Sequence, residues 1–150
     1  MVLKDQINND LKTALLGGNH FAVEVLRGLK AAILNEEVAQ NKRDDGLDDN
    51  VIEQIVAREI KKRNESAIVY DGAGRPELAD NERAEAQILT DYLPEQLSEP
   101  EIEAVVIRLI AELGASGMGS MGQVIGAVKK ELGNNADGAT VAKLVKNALQ

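Results

Sequence analysis

Met121-Gly122-Gln123-Val124-Ile125-Gly126-Ala127-Val128, followed by Ala136-Asp137-Gly138 and Leu144-Val145, carries the signals that decide the fold. Apolar side chains recur three and four residues apart, and a short polar residue stands just before the second run. This spacing predicts a helix to about Leu132. Asp137, with Gly138 behind it, caps another, whose apolar stripe is Val141, Leu144, Val145 and Leu149.

Upstream, Ser98-Glu99-Pro100-Glu101 reads as a capping box, Ser98 accepting from a first-turn amide and Glu101 reaching back, for a helix that Gly114 stops. Ser120-Met121-Gly122-Gln123 reads as a second box. A first helix carries Leu3, Ile7, Leu11 and Ala14 and ends at Gly17-Gly18-Asn19; a second runs from about His20 to Gln40. The third starts at Asp48 or Asp49 and ends near Tyr70, and the fourth spans Pro76 to about Tyr92, before Pro94. No stretch alternates with period two. The expectation is an all-α protein: an N-terminal four-helix bundle-like lobe, 1–93, a Pro-containing hinge at 93–97, and a small C-terminal three-helix bundle, 94–150.

Aromatic residues make up only 2% of the 150-residue chain, so the core is aliphatic. Without cysteine there is no disulfide and no Cys/His zinc site. No apolar leader or spanning run is evident, so a cytoplasmic protein without membrane, metal or cofactor is expected. The net charge of −8 repels nucleic acid overall. Of 17 basic and 25 acidic side chains, 12 and 19 lie in residues 1–97, so the tail is the less repulsive half.

Gly117-Met118-Gly119-Ser120-Met121-Gly122 matches G-x-G-x-x-G, but that motif needs a strand before it, and here a helix ends instead. What survives is an interhelical loop whose following helix N-terminus, at Ser120 and Gly122, offers amides to a phosphate. His20 is the one histidine, which excludes a multi-histidine metal site, and no catalytic residue is assigned. Three inward stripes contain charge: Leu26, Lys30, Ile33, Glu37; Ile52, Val56, Glu59, Arg63; and Leu78, Glu82, Glu85, Leu89. A lone inward charge is costly, so an interhelical ionic network of Lys30, Glu37, Glu59, Arg63, Glu82 and Glu85 is expected, setting helix register or lining a ligand cleft. Arg58, Lys61 and Lys62 share an outer face, and Lys129, Lys130, Lys143 and Lys146 make the basic set of the tail.

Several blocks together resemble a known family. Arg27-Gly28-Leu29-Lys30-Ala31-Ala32-Ile33, Arg58-Glu59-Ile60-Lys61-Lys62-Arg63-Asn64-Glu65-Ser66, Tyr92-Leu93-Pro94-Glu95-Gln96-Leu97 and the tail stretches stand, in order, where the blocks of the GatB/YqeY group stand. The resemblance implies a tail like that of the tRNA-dependent amidotransferase B subunit, a carbon-nitrogen ligase with glutamine as amide donor, without the catalytic domain. The expected role is thus a non-catalytic adaptor touching tRNA, or a tRNA-handling protein, through its C-terminal module. The alternatives are an interaction module without RNA affinity, using the groove between lobes or the apolar tail surface, and an accessory to the amidotransferase. One departure lowers the expected affinity for RNA: Lys129 stands in place of the family's proline, and Glu131, Gly133 and Asn135 in place of basic residues.

Overall fold

A computed structural model describes residues 2–150. Among them are seven α-helices and no strand: α1 (Val2–Leu16), α2 (His20–Ala39), α3 (Asp49–Gly72), α4 (Pro76–Thr90), α5 (Glu99–Leu113), α6 (Met121–Leu132) and α7 (Gly138–Leu149). One-turn 3₁₀ segments, Met118–Ser120 and Gly133–Asn135, flank α6. No single helix among these residues is long and apolar enough to cross a membrane.

Helix ends follow local chemistry. Asn19 caps α2 by accepting from the Ala22 amide, and Asp137 caps α7 by accepting from both the amide and the hydroxyl of Thr140 at 3.0 Å. Four helices stop on one device, a left-handed residue that lets the next amide bond back five residues. The paired bonds are Asn19 N to Ala14 O, Lys42 N to Glu37 O, Arg75 N to Tyr70 O and Ala115 N to Ile110 O. Glycine supplies the turn at 18, 74 and 114; Asn41, at φ 56°, supplies it after α2.

Two of the expected caps are corrected. Ser98 does accept from the Glu101 amide, but no bond returns from the exposed Glu101 side chain among the described residues, so only half of the box forms. Ser120 caps nothing. Its φ/ψ of −89°/−2° are helical, and its hydroxyl donates to the Ser116 carbonyl, because the 3₁₀ turn runs directly into α6.

The chain divides into two compact units, one ending at Leu93 and the other spanning Pro94–Gln150. In the first, Ile7, Leu11, Val25, Leu29, Ile33, Ile52, Val56 and Leu89 form one core, completed by Leu47 from the loop between α2 and α3. Leu47 was not anticipated. In the second, Ile102, Val106, Val124, Val128, Val141 and Val145 form the other core.

On each side of Pro94 the chain is bonded within its own unit. Tyr92, buried in the first core, donates its hydroxyl to Asp10 of α1 at 2.6 Å. In the second unit Leu97 N bonds Asn135 O, Gln96 Nε2 bonds Asn134 O, and Asn135 Nδ2 bonds Glu95 O, each at 2.8 Å. Burial, then the Asp10 bond, pushes the Tyr92 phenol above its ordinary range, so it stays a donor at all working pH values. Tyr92→Phe is expected to cost about 1.5 kcal/mol in urea unfolding, since a hydrogen bond to a carboxylate is lost while the ring packing remains. An unchanged midpoint would show that water serves Asp10 equally well.

Candidate nucleic-acid interface and the charged seam of the first unit

Arg63 of α3 is the centre of the charge in the first unit. Its side chain is 16% exposed, and its Nε lies 3.5 Å from Glu85 Oε2 of α4, an ion pair without a hydrogen bond. Nη1 donates to the Glu59 carbonyl at 3.1 Å and lies 3.8 Å from the Glu59 carboxylate, which Lys62 also meets at 3.0 Å. The guanidinium reaches α2 as well: a Cβ on Gly28 would stand 3.7 Å from Nη2, an ordinary contact distance.

Burial first, then the Glu85 carboxylate, raises the Glu82 carboxyl above its ordinary value of 4.5, against the pull of Arg63. A raised acid holds its proton more tightly folded than unfolded. Its stabilisation is therefore full below the ordinary value and is lost as the pH climbs through the raised one. Glu82→Gln is expected to leave stability at pH 4 unchanged and to raise it by roughly 0.5 kcal/mol at pH 7. Equal gains in urea melts at both pH values would refute a titration effect.

Two expected members of this seam are placed elsewhere. Lys30 is exposed and meets no carboxylate among the described residues, while Glu37, 2% exposed, pairs with Lys4 of α1 at 2.6 Å. The α2 stripe spans enough arc for Leu26, Ile33 and Glu37 to go inward while Lys30 stays at its rim. Leu78 is likewise 39% exposed. Lys61 and Lys62 sit in ion pairs along their own helix, with Glu65 at 4.0 Å and Glu59 at 3.0 Å; Arg58 is exposed.

In the second unit, pairing sorts the basic residues. Arg108 pairs with Glu131 and Glu112, and these bonds, Glu131 foremost, raise its already high pKa. Lys143 of α7 pairs with Glu99 of α5 at 2.7 Å. Lys129, Lys130 and Lys146 have no carboxylate partner among the described residues, and all three are exposed. Lys129 lies over the start of α7: a Cβ on Gly138 would stand 3.8 Å from its Nζ. Lys143 and Lys146, three residues apart, face about 60° from each other on α7.

The phosphate cup expected at Ser120 and Gly122 has fewer free donors than the sequence suggests. The 3₁₀ turn takes the Ser120 amide for Gly117 O and the Met121 amide for Met118 O, and Gly122 has no neighbour within 4 Å of its Cβ position. The bonds of Asn134 and Asn135 to the 95–97 segment left no signal in the sequence, being contacts between distant residues. Among the described residues no cluster of His, Asp or Glu is arranged to hold a metal.

The YqeY family model, described as Yqey-like protein, matches residues 4–149. The chain is 30% identical over 112 residues to the Altered inheritance of mitochondria protein 41, mitochondrial, of Lachancea thermotolerans, covering 73% of this chain and 59% of that one. It is 26% identical to the protein of that name in Pyrenophora tritici-repentis, covering 99% and 81%. It is 33% identical over 131 residues to the E subunit of the Glutamyl-tRNA(Gln) amidotransferase of Thermococcus gammatolerans, covering 85% of this chain and 19% of that protein. The chain thus spans about three-fifths of the first mitochondrial relative and a small part of the amidotransferase polypeptide. That last match is far longer than the unit Pro94–Gln150, so the likeness is not confined to the tail.

These names correct the cytoplasmic location expected above, since four relatives are mitochondrial by name. That expectation rested on the lack of an apolar leader and of a spanning run, and mitochondrial transit peptides are amphipathic and Arg-rich rather than apolar, so those two signs do not report on them. With a family model matched from residue 4 to residue 149, the chain belongs to the YqeY-like family.

Proposed function

We propose that this chain is a non-catalytic adaptor, a four-helix lobe followed by a three-helix tail, which contacts tRNA or a tRNA-handling protein through the tail. The observation that carries the reading is the set of unpaired lysines. Among the described residues Lys129, Lys130 and Lys146 meet no carboxylate, in a chain of net charge −8, and Lys129 lies over the start of α7. Kinship with a component of a tRNA amidotransferase supports tRNA as the nucleic acid in this reading.

Lys143 is left unchanged in the test variant, because it pairs with Glu99 and reversing it would disturb an internal contact as well as a phosphate contact. The triple variant K129E/K130E/K146E is expected to weaken binding of a tRNA transcript at least tenfold at low salt and to flatten the slope of log K against log salt by about 2. Undiminished binding by the triple variant would remove the patch from the reading.

The alternative, a protein interaction module without RNA affinity, draws on the exposed apolar residues of the second unit: Ile107 at 55%, Met118 at 44% and Leu113 at 39%. It predicts no tRNA shift at any ionic strength, with a protein partner retained in nuclease-treated lysate.

A further inference from the structure

On the reading that the tail contacts RNA, its side chains also select the form of RNA. Phe21, Tyr70 and Tyr92 are the aromatic residues of the chain, and all three lie in the first unit. Residues 94–150 therefore offer no ring on which a base could stack. A guanidinium is the remaining cation that stacks on a base or forks onto its edge, and Arg108 is the one arginine of the second unit. It pairs with Glu112 of its own helix and with Glu131 of α6, so one positive charge meets two negative ones and the spot repels phosphate. What remains is a set of ammonium groups, point charges without a planar face.

Their placement suits separate phosphates. Lys129 lies over Gly138 at the start of α7, and Lys146 stands in the last turn of the same helix. Helix geometry puts about 12 Å between the levels of Gly138 and Lys146, and about 80° between their directions. That is several times the advance per phosphate along one strand, about 3.4 Å in B-form DNA. Each neutralised phosphate releases more counterion from a duplex than from a single strand, about 0.9 against about 0.7, whereas a single strand owes much of its affinity to stacking. Lysines without rings favour the duplex. We propose that the tail takes the phosphate backbone of an RNA double helix rather than the bases of a single strand, and that Glu112 and Glu131 set this preference by holding Arg108.

The test measures binding of the whole chain at low salt to a perfect RNA duplex and to a CA-repeat single strand with the same number of phosphates. The duplex is expected to bind at least fivefold tighter, whatever its base sequence. K129E/K130E/K146E should weaken the duplex at least tenfold. E112Q/E131Q, at exposed positions, should strengthen the single strand more than the duplex, because the freed guanidinium stacks on bases. R108K/E112Q/E131Q has the same charge without the planar group and should strengthen both probes alike. A single strand bound as tightly as the duplex, or the same duplex preference in the Arg108 and Lys variants, would overturn the proposal while leaving the tail an RNA contact. Binding of neither probe, or binding that the lysine variant leaves intact, would overturn the RNA reading and this proposal with it.

Discussion

Arg63→Ala is expected to lower the unfolding free energy at pH 7 by about 3 kcal/mol. The side chain is 16% exposed and stands among Glu59, at 11%, and Glu85, at 24%. Removing it leaves carboxylates facing one another across the seam of α3 and α4, with Glu82 beside them. The loss combines the charge of Glu85, left without its partner while Glu59 keeps Lys62, with the packing of the Arg stem. It should shrink at pH 4, where Glu82, its carboxyl raised by burial and by Glu85, holds its proton and no longer adds to the repulsion. Arg63→Lys should recover only part of it, because a single ammonium cannot reach two carboxylates and the Glu59 carbonyl as a planar fork does. Urea unfolding of the three proteins at both pH values measures this. A loss below 1 kcal/mol at pH 7 would mean that water screens the seam as it screens a surface pair.

Leu47→Ala is expected to cost about 3 kcal/mol, although the residue lies outside every helix. It is 2% exposed and packs into the first core. The chain delivers it there by a fixed turn: Asn41 at φ 56° ends α2, Gly46 N bonds Lys42 O at 2.7 Å, and Gly46 takes φ 79°. With its backbone held on both sides, the loop cannot collapse into the space that truncation leaves, so the cavity term adds to the lost transfer energy. A cost under 1 kcal/mol would show that the loop relaxes after all. Leu47→Met, close in volume, should cost under 1.5 kcal/mol.

Leu47 also marks where sequence reading stops. A single leucine among Asp44, Asp45, Gly46, Asp48 and Asp49 has no periodic companion, so nothing local distinguishes a core anchor from a loop residue. The same limit explains Lys30 and Glu37. They lie on one stripe of α2, and only the approach of α1 decides that Glu37 takes Lys4 as its partner while Lys30 stays at the rim. Ser120 failed as a cap for a related reason. The sequence shows a capping residue type but not the turn behind it, and the 3₁₀ segment gave Ser120 helical dihedrals. Asp137 succeeded because its bond to Thr140 involves nothing beyond its own turn.

What the amino-acid order determines by itself is therefore whatever closes within a few residues: seven helices, most of their ends, the aliphatic stripes at Val141, Leu144 and Val145, and an all-α chain. Tertiary structure alone decided which charges are neutralised and which remain. Lys143 is taken by Glu99 and Arg108 by Glu131, while Lys129, Lys130 and Lys146 meet no carboxylate among the described residues. The physical reason is range. Helix propensity and capping act over one turn, whereas an ion pair depends on two side chains brought together by cores that residues far apart in the chain build jointly.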